Sequence, residues 1–223
     1  MSTTPQHSNP APTPRQLSTP RAAALAGVVF SALFGTTLIL IRIHMPAGHE
    51  DSAQWLQSQQ SAITTATVLM PFAGISFLWF IGVVRDGFGR FEDRFFVSVF
   101  LGSGLLFVAM MFVATAVAAG LVASNSSVTD PAAHAEVMNF GRMVLVSASQ
   151  TYALRMAAVF MISLATIWLK TRLMPRWLAV LSYVLAVALL IISEASMWVE
   201  LAFPAWVLVV SGFILARSVH RAE

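Results

Sequence analysis

FFVSVFLGSGLLFVAMMFVATAVAAGLVA, residues Phe95–Ala123, runs for 29 positions without one charged side chain. About 20 apolar residues in a helix suffice to cross the hydrocarbon core of a bilayer. A helix this long and apolar on every face has no side to show to water, so lipid is its natural solvent. The rest of the chain repeats the signal. Comparable windows fall at Ala22–Ile43, Ala62–Val84, Arg142–Leu169, Trp177–Ser193 and Met197–Ala216. The expected fold is therefore all-α: a polytopic transmembrane bundle of six spans covering residues 21–217. The third and fourth spans exceed the minimum by several residues, and tilt or projection from the bilayer is expected of them.

Composition agrees with this reading. The chain is 57% hydrophobic and 10% charged, with a mean hydropathy of +0.77, where soluble domains carry about 25% charged residues. Its 223 residues suit one compact membrane domain. A pI near 10.2 suggests nucleic acid at first sight. The basic residues instead sit singly or in small groups at the ends of apolar runs, so no nucleic-acid partner is expected. Cysteine is absent, which excludes disulfides, thiolate metal sites, iron–sulfur clusters and cysteine nucleophiles.

Pro5, Pro10, Pro12, Pro14 and Pro20 lie among Ser, Thr, Gln and Asn, a composition that cannot bury a core, so residues 1–20 read as a disordered cytoplasmic tail. Residues 218–223 form a second short tail. A signal peptide is the competing reading for the first span, because Arg15 and Arg21 precede an apolar run that Pro46-Ala47-Gly48 follows. The 22 residues of Ala22–Ile43 favour an uncleaved helix, since signal cores run to about 7–15 residues.

The charges orient the bundle. With the amino terminus inside, one side collects Arg15, Arg21, Arg85, Arg90, Arg94, Lys170, Arg172, Arg176, Arg217 and Arg221, ten of the 13 basic residues. Arg42 and Arg142 fall at the outer ends of their spans, and Arg155 lies within one. The positive-inside rule thus selects a multi-pass protein with both termini cytoplasmic.

Small residues indicate where helices meet. Gly27, Ser31 and Gly35 recur every four residues and form a stripe that lets a neighbouring backbone approach, within one chain or between two copies. Pro71 stands inside the second span and frees the carbonyl of Thr67, which favours a bend. Pro204 falls near the outer start of the last span, either in its first turn or at a break before it.

The polar residues inside spans are the candidate site. A charge at mid-span costs about 2.5–3.5 kcal/mol on insertion scales and calls for a partner or water. Counting at 1.5 Å per residue puts Arg155 about 22 Å above Lys170, Glu194 about 27 Å from Arg176 and Glu200 about 25 Å from Arg217. All three fall in one outer layer, with Arg42 and Arg142 at its rim. Ser147, Thr151 and Arg155 share a helical face, flanked by Gln150 and Tyr152. The candidate ligand-binding set is Arg155, Glu194, Glu200, Thr151, Tyr152 and Arg42. Two readings stand: Arg155 pairs with a glutamate, or snorkels, to hold the fold, or it binds a ligand.

Other chemistries find no residues. His7, His44, His49, His134 and His220 are read as lying in tails or loops, which leaves a core haem without ligands. The only lysine, Lys170, sits at an interface, not in a retinal pocket. No His-Glu-x-x-His or Gly-x-Ser-x-Gly stands in the chain. His44, His49, Glu50 and Asp51 form an outer cluster whose spacing matches no rigid metal site, and Asp93 is placed to cap the third helix. Neither metal nor cofactor is expected, and no catalytic residue is assigned.

Glu92-Asp93-Arg94-Phe95-Phe96 running into Phe100–Phe107, together with Met174-Pro175-Arg176-Trp177-Leu178, resembles small bacterial six-span membrane proteins of about this length. The resemblance implies a bacterial cytoplasmic membrane and carries no active residues to transfer. Two functional classes follow. One is a structural, accessory or lipid-associated membrane protein that meets membrane lipid and a protein partner or second copy of itself. The other is a transporter or receptor for a small anionic or lipidic ligand held around Arg155.

Overall fold

The computed structural model describes residues 19–43, 52–88, 94–124, 130–192 and 197–220. In chain order they form α1 (Thr19–Ile43), α2 (Ser52–Asp86), α3 (Arg94–Ser124), α4 (Pro131–Val146), a π-helical segment (Ser147–Ala153), α5 (Leu154–Thr171), α6 (Arg176–Ile192), a 3₁₀ turn (Met197–Leu201) and α7 (Ala202–His220). Among the described residues there is no strand.

Five helical runs are long and apolar enough to cross a membrane: Arg21–Ile41, Ser61–Asp86, Arg94–Ser124, Ala132–Thr171 and Val199–Arg217. The expected fifth span, α6, has 17 residues, about 25 Å of helix, at the short end of spanning lengths. The expected tails fall largely outside the described residues, although α1 already begins at Thr19 and α7 runs on to His220.

The fourth helix departs most from expectation. It starts at Pro131, eleven residues before Arg142. Asp130 caps it, its carboxylate accepting from Ala132 N at 3.1 Å, and proline takes the first position, where its missing amide costs nothing. An apolar window cannot register a polar first turn. The unbroken run Ala132–Thr171 has 40 residues, about 60 Å of helix, twice the roughly 30 Å of a hydrocarbon core. His134 therefore lies on a helix and not in a loop, and His220 is the last residue of α7.

Several hydroxyls inside the helices are satisfied locally. Ser31 donates to Gly27 O at 2.8 Å, Thr37 to Leu33 O at 2.8 Å and Ser163 to Val159 O at 2.8 Å. Each returns its proton to the carbonyl four residues back, so the side chain meets apolar surroundings with its donor spent. Pro71 sits inside α2. Pro204 is buried in the first turn of α7, directly after the 3₁₀ turn that separates it from α6.

Phenylalanine fills the centre. Phe30 of α1 lies 4.6 Å from Phe77 of α2, Phe107 of α3 lies 4.6 Å from Phe203 of α7, and Phe100 of α3 stacks on Phe160 of α5 at 4.5 Å. All six rings are at most 1% exposed. Ring edges and faces carry opposite partial charge, so the mix of stacked and edge-on pairs is attractive beyond simple burial. Glycine makes two of these approaches possible. A Cβ on Gly104 would stand 2.6 Å from Ile81 Cδ1, and one on Gly27 would stand 2.0 Å from Ser211 Oγ. Gly27 thus brings α1 against α7 within one chain, whereas Gly35 has nothing within 4 Å.

The helix α6 joins the periphery through α5 and two polar latches. Trp206 Nε1 of α7 donates to Ser182 Oγ at 2.8 Å, and Tyr183 shares a 2.6 Å hydrogen bond with Thr166 of α5. At the same end of α5, Arg172 closes the helix in a left-handed conformation, φ 53° and ψ 24°. Arg217 donates to Leu173 O and lies over the Phe213 ring, and Lys170 lies over the Phe96 ring.

Candidate functional site

At the end of the bundle away from Lys170, the π segment decides which side chains face inward. Its hydrogen bonds run to the fifth residue, where an α-helix uses the fourth, so about one extra residue is accommodated in the turn. The face reckoned at four-residue spacing is displaced as a result. Ser147 is exposed and Thr151 and Arg155 are half-buried, while Ala148, Ser149, Gln150 and Ala153 are buried.

Arg155 occupies the first turn of α5, where its Nη1 donates to Thr151 O at 3.3 Å. Thr151 therefore meets Arg155 through its backbone carbonyl. Tyr152 is 59% exposed and points away from the core. Glu200 projects from the 3₁₀ turn and accepts from Ser149 Oγ at 3.3 Å. Both Arg155 and Glu200 make further interactions, so neither is a charge without a partner. Glu194 lies outside the described residues, and so does the side chain of Arg42, whose backbone belongs to the last turn of α1.

A cavity of about 30 Å³ opens beside Glu200. Leu38 and Ile41 of α1, Met70 of α2, Met111, Ala114 and Thr115 of α3, and Leu145 of α4 wall it, with Ser149, Glu200 and Leu201 completing the lining. One water needs about 10–15 Å³ of such space, so one or two fit. The structure brings Glu200 together with Ser149 and Thr115; Arg155, Thr151 and Tyr152 do not line this cavity. Spacing could not reveal Ser149, because the π turn rotates it inward. Thr115 carries no signal at all inside the longest apolar run, where hydroxyls usually serve the helix carbonyl behind them.

Among the described residues, both ring nitrogens of His134 and Ser211 Oγ are buried without a hydrogen-bond partner. Among the described residues no group of three or more His, Cys, Asp or Glu is close enough to hold a metal ion. The His44, His49, Glu50 and Asp51 cluster and Asp93 lie outside the described residues. Comparison with protein-family models, with curated proteins and with solved structures finds no match for this chain.

Proposed function

We propose that the chain is a structural or accessory, lipid-associated protein of the cytoplasmic membrane, crossing it six times with both termini inside. The observation that carries this reading is the aromatic core: Phe30, Phe77, Phe100, Phe107, Phe160 and Phe203, drawn from five helices, close the bundle axis with side chains at most 1% exposed. Dense packing of this kind is what a structural role requires, whereas a carrier builds its site near the bilayer midplane between halves that can part. The outer surface supports a lipid setting, since Phe72, Trp79, Phe95, Phe140 and Ile191 are all more than half exposed.

Topology rests on charge. Arg85, Arg94, Lys170, Arg172, Arg176 and Arg217 are exposed at helix ends that the alternation of spans gathers on one side. With α6 as the short fifth span, that side is cytoplasmic by the positive-inside rule. The alternative, a transporter or receptor for a small anionic or lipidic ligand at Arg155, has less support. The cavity in that layer is lined by a carboxylate and hydroxyls, not by the arginine.

Native mass spectrometry after extraction in mild detergent tests the proposal. The 24.1 kDa chain is expected to carry phospholipid or a stoichiometric protein subunit. A bare monomer, or one with a bound water-soluble metabolite, contradicts it.

A further inference from the structure

We propose that the corner where α5 turns into α6, beside the end of α7, binds the phosphate headgroup of an anionic phospholipid, with the acyl chains laid along α6. The proposal rests on the lipid-associated reading and deepens it by naming the lipid class and its seat. Three arginines meet at this corner. Arg172 ends α5, Arg176 opens α6, and Arg217 of α7 donates from Nη1 to Leu173 O in the turn between them. Their charge has no internal answer nearby: α5, the turn, α6 and α7 contain no aspartate or glutamate among their described residues. Asp86, on the same side of the bundle, ends α2, which packs on α1 and α3.

Topology asks for basic residues near helix ends, but not in these particular places. Arg172 is the one non-glycine residue with positive φ, 53°, among the described residues, a conformation that glycine adopts without steric cost. The dipole of α5 rewards a cation in its last turn, yet Lys170 already stands there. Arg176 occupies the first turn of α6, where the dipole favours an anion instead. The side chains of Arg172 and Arg176 are exposed and donate to no described group. Arg217 spends one N–H on Leu173 O and lies 5.1 Å over the Phe213 ring, which holds its planar fork in place with the other donors open to phosphate oxygens. A backbone outlier that keeps a charged side chain points to a use for that side chain.

The apolar half of a lipid finds its surface next to these charges. Trp177, Val180, Val184, Val187 and Ile191 of α6 are all exposed. Their spacing of three and four residues makes one continuous stripe that begins beside Arg176. The Trp177 ring stands edge-on to Phe213 at 6.1 Å, so the aromatic anchor usual at a membrane interface adjoins the Arg217 guanidinium. A phosphate drawn to the arginines therefore directs its chains down the stripe. A zwitterionic headgroup would bring its own cation into the cluster, whereas a headgroup with net negative charge answers it.

The test titrates the purified full-length chain in mild detergent with phosphatidylglycerol or with phosphatidylcholine of the same acyl chains. Native mass spectrometry counts bound lipid, and thermal unfolding of each variant is run alongside. Phosphatidylglycerol is expected to bind about tenfold or more tightly than phosphatidylcholine, given three basic residues at the headgroup. Arg172→Gly unfolds no earlier than wild type and weakens phosphatidylglycerol binding about fivefold, as one lost charge near 1 kcal/mol implies. Adding Arg176→Gln brings the loss to about 25-fold on the same reckoning. Arg85→Gln, on α2 at the same side, stays within about twofold of wild type, because only diffuse surface charge is lost there. If the double variant does not fold, Arg172→Gly against Arg85→Gln decides. Equal binding of the two lipids, or a loss in Arg85→Gln as large as in Arg172→Gly, overturns the inference. Displacement of the lipid by millimolar inorganic phosphate overturns it too, by marking a site for a soluble anion. Each of these results leaves lipid association standing. That reading fails together with the inference only when the chain retains neither phospholipid nor a protein subunit.

Discussion

Replacing Gly27 with alanine is expected to strain the α1–α7 contact by about 1–3 kcal/mol, the usual cost of forcing an extra methyl into a filled core. The new Cβ would lie 2.0 Å from Ser211 Oγ, 2.8 Å from Phe80 Cδ2 and 3.1 Å from Phe80 Cε2. Neither neighbour has room to withdraw: Ser211 and Phe80 are both 0% exposed, and the Phe80 ring lies 6.1 Å from Phe77 in the aromatic core. Alanine also favours the helix over glycine by up to about 1 kcal/mol, which masks part of the strain. Gly35→Ala supplies the correction, because nothing lies within 4 Å of that position and only the propensity gain acts there. The difference between the two variants therefore isolates the clash. Ser211→Ala removes the nearest atom, a hydroxyl without a hydrogen-bond partner, so on its own it is neutral or mildly stabilising. Combined with Gly27→Ala it recovers part of the loss, leaving the Phe80 contact as the remainder. Reversible unfolding in mixed micelles by titration with a denaturing detergent measures all four proteins. Equal stability of Gly27→Ala and Gly35→Ala, or strict additivity of Gly27→Ala with Ser211→Ala, refutes the packing argument. A change of oligomeric state in Gly35→Ala would move the stripe to an interface between copies.

Three further outcomes are expected. Since the chain has no cysteine, single substitutions report topology directly: Ala132→Cys reacts with a membrane-impermeant maleimide in intact cells and Asp86→Cys only after permeabilisation, and the reverse pattern rejects the orientation. Trp206→Phe loses the 2.8 Å bond to buried Ser182 and costs about 0.6–1.7 kcal/mol in the same unfolding assay; Ser182→Ala added to it costs little more, whereas full additivity argues against the latch. Arg172→Gly, at φ 53°, is at least as stable as wild type and gains up to about 1 kcal/mol, while Arg172→Val loses stability, because a β-branched residue resists the left-handed region.

How far the sequence reveals this molecule depends on what each feature leaves behind in it. The long spans are legible because a helix in lipid must be apolar over a length the bilayer dictates, and Arg94, Lys170 and Arg176 mark helix ends. The helical start at Pro131 was also open to reading, for Asp130-Pro131 is a cap followed by a first-turn proline, but an apolar window passes over it. The polar layer was less accessible. Ser147, Thr151 and Arg155 share a face only while the helix keeps four-residue spacing, and the segment Ser147–Ala153 does not. No residue type in Ser-Ala-Ser-Gln-Thr-Tyr-Ala announces a π turn. Thr115, Ser149 and Glu200 line one cavity from three separate elements, a juxtaposition that only tertiary packing creates.

The π segment also has a consequence for how this helix tolerates change. Above it, Gly141 lies so close to α3 that a Cβ there would stand 2.4 Å from Leu121 Cδ2; below it, Phe160 and Met161 belong to the central core. Deleting a residue from an ordinary helix turns everything beyond it by about 100°, given 3.6 residues per turn. Within Ser147–Ala153 the surplus residue can be surrendered and the turn can relax to α, with both flanks left in phase. This stretch is thus the one place among the described residues of the long helix where length can vary while α4 keeps its grip on α3 and α5 keeps its place among the aromatic rings.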